Sequence, residues 1–141
     1  MEWNQIVPEF DVFNLEESLR FYINLIGFDI VYDRKEDKFA FLQFENVQIM
    51  IQEIDFENNK WKTGKLEYPL GVGINFQFDI TNIDEIYTRL KKENYKIFIE
   101  LEDHWYRKDN ILMGCREFLV QDPNGYLLRF SQDLEDKEIK E

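Results

Sequence analysis

Apolar and polar positions run through this chain in two cycles of the same order. From Gln5 to Val12 they alternate weakly, as in a strand, and Pro8 confines that strand to an edge or to the start of a pairing. Asn14 follows as a helix N-cap, with Glu17 three residues on completing a capping-box-like pair. Leu15, Leu19, Tyr22, Ile23 and Ile26 recur at helical spacing and Gly27 suits the C-cap, so a helix is predicted over 15–26. Strands are predicted over 28–33, 38–44 and 47–53, with the charged turn Arg34-Lys35-Glu36-Asp37 between the first two.

After an irregular stretch the cycle returns. Phe10-Asp11-Val12-Phe13-Asn14-Leu15-Glu16-Glu17 aligns with Phe78-Asp79-Ile80-Thr81-Asn82-Ile83-Asp84-Glu85 at an offset of 68, with four identities and three close replacements. The second helix repeats the Asn82–Glu85 cap, carries Ile83, Ile86, Tyr87 and Leu90 on one face, and ends near Asn94. Strands are predicted over 95–101, 114–121 and 126–131. The last two form a hairpin about Asp122-Pro123-Asn124-Gly125, where Pro123 presets φ and Gly125 supplies φ > 0.

A repeat in both spacing and element order predicts an α+β fold of two tandem βαβββ modules, forming a curved mixed sheet around a cleft. Module one spans 5–53, a linker loop 54–71, module two 72–132 and a charged, frayed tail 133–141. Alternation places Phe10, Val12, Phe76, Phe78 and Ile80 on the helix-covered face. Val7, Glu9, Asp11, Asn75, Gln77 and Asp79 point the other way, onto a polar, wet surface.

The formal net charge of −12 alters the list of partners. It argues against nucleic acid and anionic membranes and favours a cationic small molecule. A single cysteine, Cys115, excludes an internal disulfide and suits a reducing compartment. No apolar run reaches the length of a membrane span, and the first ten residues lack the basic-then-apolar order of a secretion signal, so a cytoplasmic location is expected.

The chain has no Gly-rich phosphate loop, nucleophile elbow or Cys–His pairing, and no catalytic residue is assigned. Cys115 reads as a small buried hydrophobe and His104 as a solvated loop histidine. The candidate ligand-binding residues are Trp61 and Tyr68 in the linker loop, Trp105 and Tyr106 in the connection 103–113, which has room for another short strand, and Asn75, Glu117 and Arg129 on strands of module two. Flat rings there can stack on heteroaromatic groups and carry cations over their faces. The alternative for Glu117 and Arg129 is a buried ion pair that only orders the cleft.

Three stretches carry a resemblance: Val7-Pro8-Glu9-Phe10; Arg20-Phe21-Tyr22-Ile23-Asn24-Leu25-Ile26-Gly27-Phe28; and Arg116-Glu117-Phe118 followed by Asp122-Pro123-Asn124-Gly125. On paired βαβββ modules these resemble the vicinal oxygen chelate superfamily, which holds glyoxalases, extradiol dioxygenases, fosfomycin-resistance enzymes and bleomycin-resistance proteins. The likeness covers Val7 to Ser131 and is strongest to bleomycin-resistance proteins. It implies that the superfamily's metal-ligand positions fall on Val7, Asn75, Arg129 and a residue near Met50. None of these suits a hard divalent ion, so no metal ligand and no cofactor is expected; Glu9, Gln52 and Glu53 remain as donors for an unorthodox site. The resemblance further implies a homodimer, with an N-terminal strand exchanged around Pro8, that sequesters a bleomycin-type glycopeptide without altering it. Two alternatives stay open: a glyoxalase- or dioxygenase-like metal-dependent enzyme with an altered metal site, and a regulatory or structural dimer whose cleft is filled by its own side chains.

Overall fold

Each half of the repeat forms its own four-stranded sheet. The computed structural model describes residues 2–58 and 60–139. Met1, Asn59 of the expected linker loop, and Lys140 and Glu141 of the expected tail lie outside the described residues. The chain divides into two compact units: Met1–Val72 with Asp122–Tyr126, and Gly73–Gln121 with Leu127–Glu141.

In unit 1 the strands are β1 (Glu9–Val12), β2 (Asp29–Arg34), β3 (Phe39–Phe44) and β4 (Val47–Glu53), in the order β1-β4-β3-β2. In unit 2 they are β5 (Asn75–Asp79), β6 (Ile99–Lys108), β7 (Ile111–Gln121) and β8 (Leu127–Glu138), in the order β5-β8-β7-β6. The first strand of each unit runs parallel to the last, and the remaining pairings are antiparallel. The predicted βαβββ order is thus present twice, with the same strand arrangement.

The helices α1 (Leu15–Leu19) and α2 (Ile83–Lys92) occupy equivalent places. The α1 N-terminus is capped as expected, Glu17 N–H donating to Asn14 Oδ1 at 2.8 Å, while Leu15 N–H donates to Glu53 Oε1 at 3.0 Å. In α2 the Asn82 side chain instead bonds Glu85, and Ile83 N–H donates to Gln132 Oε1 at 2.9 Å. Both units therefore satisfy a first-turn N–H from the end of their own last core strand.

The winding of the first helix departs from the expectation. Past Leu19 it continues over Arg20–Ile26 in π form, ending at Gly27, whose φ is 116° and whose N–H donates to Tyr22 O at 3.0 Å. The wider turn moves the buried face. Phe21, Tyr22 and Ile26 are buried, whereas Ile23, assigned to the core from 3.6-residue spacing, is only half-buried.

Two further segments differ from the sequence reading. The connection 103–113 is not a loop: β6 runs through Lys108 and turns at Asp109-Asn110 into β7. The residues from Asp133 do not begin a frayed tail, because β8 continues to Glu138, with Lys137 opposite Leu112. An eleven-residue β7 offers a ladder for both neighbours, and that pairing outweighs the polarity of the local sequence.

The helix-facing core of unit 1 is built from Phe10, Val12, Phe21, Tyr22, Ile26, Phe28, Leu42, Ile49 and Ile51, and that of unit 2 from Phe78, Ile80, Ile83, Ile86, Leu90, Phe118, Val120, Leu128 and Phe130. Phe118 and Phe130 stack with centroids 5.2 Å apart. Trp3 anchors the N-terminal arm, edge-on to Phe41 at 4.7 Å. The arm lies on its own unit: Asn4 N–H donates to Gln48 Oε1 and Met50 N–H to Pro8 O.

The turn Asp122–Tyr126 is the polar centre of unit 1. Asp122 accepts from Tyr22 Oη at 2.7 Å, from Asn124 N at 2.8 Å, from Tyr126 N at 2.9 Å and from Asn124 Nδ2 at 3.0 Å. Asn124 also accepts from Phe13 N and donates to Ser18 Oγ; Tyr126 stacks on Phe10 at 4.4 Å and donates to Asp11 O. Burial pushes the Asp122 carboxyl above its ordinary pKa, and the donors around it only partly offset that.

Because that folded-state pKa is raised, Asp122's contribution to stability is full below its unfolded value and is lost as pH rises through the folded one. The Tyr22 hydroxyl limits the loss by stabilising the ionised form. Tyr22→Phe should therefore cost about 1.5–3 kcal/mol near neutral pH and less near pH 4, as Asp122 takes up its proton. Urea unfolding at both pH values measures this, and equal deficits would show that Tyr22 does not act on the charged form. Gly125→Ala should cost about 2–3 kcal/mol, since φ is 97° and a Cβ would sit 2.5 Å from Pro69 Cβ and 2.7 Å from Pro69 Cα. A loss under about 0.5 kcal/mol in the same assay would contradict it.

Candidate functional site

In each unit one sheet face carries the helix, and the chemistry-bearing side chains gather on the other. In unit 1 that second face holds Glu9, Asp11, Gln52 and Met50, placed there by the β1–β4 register. It is less polar than expected. Phe39 and Phe41 are buried on it, beneath the Arg34 guanidinium, 4.0 Å above the Phe39 ring, and beneath Tyr32 and Trp3.

Beside this face a pocket of about 180 Å³ opens between β1, the end of β4 and the loop that follows, lined by Asp11, Gln52, Glu53, Asp55, Asn58, Lys60 and Trp61. Glu53 is held below the usual carboxylate range by Lys38 Nζ, 2.7 Å away, and by Leu15 N–H. Asp55 is held low by the backbone N–H groups of Glu57 and Asn58. Both carboxylates are ionised at neutral pH, so the pocket is negative despite Lys60. Trp61 is 82% exposed and forms its indole wall; Tyr68, also exposed, does not line it.

In unit 2 the face away from α2 gathers a polar group the sequence reading did not assemble. Glu117 is only 8% exposed. Its Oε1 accepts from Tyr106 Oη at 3.2 Å and lies 3.5 Å from His104 Nε2, and its Oε2 is 3.6 Å from Cys115 Sγ. His104 is not in a loop: it sits on β6 opposite Cys115, with Nε2 3.0 Å from Glu102 Oε1. Strict alternation along β6 was the signal available for it. Burial, then Glu117, raises the Tyr106 phenol and the Cys115 thiol, so Cys115 stays protonated and is a poor nucleophile.

Trp105 and Tyr106 do not share a surface. Tyr106 lies with Glu117, while Trp105 lies with Arg116 on the helix side, where a Cβ on Gly114 would overlap its ring and Lys137 Nζ stands 3.7 Å above it. Arg116 is bound by Asp103 at 2.8 Å and Asp84 at 3.1 Å, so its charge is answered within unit 2.

Arg129 and Glu117 are not ion-paired. Arg129 Nη2 donates to Gln77 Oε1, whose amide in turn donates to Asp79 at 2.9 Å. Arg129 Nε is buried with no acceptor among the described residues. An unmet buried N–H of this kind costs about 1–3 kcal/mol. Asn75 lies on β5, two residues from Gln77 and on the same exposed face.

The four positions at which the resemblance implies metal ligands do not fit a divalent ion. Val7 and Met50 offer no hard donor, Asn75 offers one neutral amide, and Arg129 places a guanidinium there. Among the described residues, no three His, Cys, Asp or Glu side chains are grouped to hold a metal. No helix among the described residues is long and apolar enough to cross a membrane.

Comparison with known proteins agrees with this architecture. The family model described as the Glyoxalase/Bleomycin resistance protein/Dioxygenase superfamily matches residues 9–130. Proteins named bleomycin resistance protein from Geobacillus stearothermophilus and Staphylococcus aureus are 27% identical over 139 residues, covering 92% of this chain and 97% of theirs. Among solved structures, TioX from Micromonospora sp. ML1 is similar with a TM-score of 0.67 at 18% identity, covering 94% of this chain and all of that one. A virulence protein from Salmonella typhimurium is similar with a TM-score of 0.65 at 17% identity, covering 95% of this chain and all of that one. With its duplicated βαβββ order and a family match across nearly the whole repeat, the chain belongs to the glyoxalase/bleomycin resistance protein/dioxygenase superfamily.

Proposed function

We propose that this protein is a metal-free, dimeric, cytoplasmic binding protein that sequesters a cationic or aromatic small molecule, with a bleomycin-type glycopeptide as the leading ligand. The unit 1 pocket carries this reading: Asp11, ionised Glu53 and Asp55, and the exposed Trp61 indole combine negative charge with a flat ring. A cation gains from both, and a heteroaromatic group stacks on the indole. The net charge of −12 adds long-range attraction. The names of the bleomycin-resistance relatives support the choice of drug, and the unsuitable donor set at Val7, Met50, Asn75 and Arg129 favours capture over metal chemistry.

Titration with a bleomycin-type drug, followed by tryptophan fluorescence and calorimetry, is expected to quench the signal and release heat at one site per chain. Trp61→Ala should remove most of the quenching and weaken binding by about tenfold, the scale of one stacked aromatic contact. Absence of both quenching and heat at high drug concentration would end the drug assignment. Metal analysis of the purified protein, with thermal shifts in nickel, zinc, manganese and iron, should find no stoichiometric ion; finding one would favour the enzyme. Light scattering is expected to give twice the chain mass, and a monomer would refute the dimer.

A further inference from the structure

The unit 2 face away from α2 carries two opposite charges that neither pair with each other nor find strong partners elsewhere. We propose that this face binds a zwitterionic small molecule, taking its carboxylate on the Arg129 guanidinium and its cationic nitrogen on Glu117. The inference goes beyond the reading above, because it concerns unit 2 alone and adds a negative end to the ligand.

Arg129 supplies the first half of the argument. Its Nε–H and Nη2–H point along one edge, the edge that grips a carboxylate through two parallel bonds. Here Nη2 is occupied by Gln77 and Nε has no acceptor among the described residues. Gln77 Oε1 stands where one carboxylate oxygen would sit, and the place of the other has no hydrogen-bonding group. Gln77 lies on the exposed edge strand β5, so it can give way, and the Arg129 side chain is only half-buried.

Glu117 supplies the second half. This nearly buried carboxylate has a phenol at 3.2 Å, a thiol at 3.6 Å and the His104 ring nitrogen at 3.5 Å. No lysine or arginine reaches it among the described residues. The Tyr106 ring stands beside it, its centroid 6.0 Å from that of His104, and adds an aromatic surface near the carboxylate.

Register fixes the distance between the two. Glu117 pairs with Ser131 and Leu119 with Arg129, so the charged residues are diagonal neighbours on one face, with side-chain origins about 7–8 Å apart. Both charges act on Tyr106 and on Cys115, Glu117 raising and Arg129 lowering each group, which places them over the same surface. A ligand with its charges several bonds apart fits that span; an α-amino acid with no charged side chain does not.

The test uses the full chain labelled with nitrogen-15 and three probes: 6-aminohexanoate, hexanoate and hexylamine. The Arg129 Nε–H resonance, identified by its loss in Arg129→Lys, and the Glu117 amide report binding. 6-Aminohexanoate should shift both and bind at least about fivefold tighter than either half-molecule, because the second contact is made intramolecularly. Glu117→Gln should reduce it to the level of hexanoate, and Gln77→Ala should preserve binding or tighten it. Equal affinity for all three probes, no shift at tens of millimolar, or an unchanged response in Glu117→Gln overturns the proposal. If Glu117→Gln does not give a folded spectrum, the three-probe comparison on the unmodified protein still decides. Drug binding without any Arg129 or Glu117 shift from 6-aminohexanoate would leave the reading of unit 1 standing and remove only this one.

Discussion

Unit 1 depends on one buried carboxylate. Asp122 stands between the first helix and the β7–β8 turn, and four donors converge on it from Tyr22, Asn124 and Tyr126. A turn of this length normally lies in water, where its backbone groups are satisfied without help. Here it is buried, so its polar atoms have to be answered from within the protein, and Asn124 does so by reaching Phe13 N and Ser18 Oγ. Gly125 meets the same demand sterically, since Pro69 and Leu70 leave no room for a side chain. The Asp-Pro-Asn-Gly sequence thus serves as packing as well as turn chemistry.

The duplication shows how far one structural solution tolerates drift. Both helices bury an apolar face against a sheet of the same strand order, and both have their first N–H answered from the last core strand. The donor's partner has changed from the Glu53 carboxylate to the Gln132 amide. An acceptor oxygen at that place is what the helix end requires, and either side chain provides it. The polar faces have diverged much further. Unit 1 covers part of its face with Trp3, Tyr32 and Arg34, whereas unit 2 leaves Glu117, Tyr106, Arg129 and Gln77 in place.

That divergence has an energetic side. A partly buried guanidinium with an unanswered Nε, and a carboxylate answered by a phenol and a thiol, are arrangements that stability alone would not favour. Arg129 stands at one of the positions where the superfamily resemblance implies a metal ligand, and it is the residue least compatible with one. The ionised pocket beside Trp61 has the same character, with charge placed at a concave surface rather than spread over solvent.

The sequence by itself determined the repeat, the α+β class, the helix starts and the hairpin turn, because these rest on local spacing and on residues such as Asn14, Pro123 and Gly125 with strong conformational preferences of their own. It also determined the helix-covered core, since period-two alternation assigns Phe10, Val12, Phe78 and Ile80 without knowledge of their neighbours. Tertiary structure alone decided the rest. The π winding of Arg20–Ile26 buries Phe21, Tyr22 and Ile26, whereas Ile23 looked equally good at ordinary helical spacing. His104, Trp105 and Tyr106 became strand residues on alternate faces because β7 pairs along its whole length, a non-local contact that local polarity conceals. Whether Glu117 and Arg129 meet depends on a register offset of two residues between adjacent strands, which no run of residues along the chain encodes.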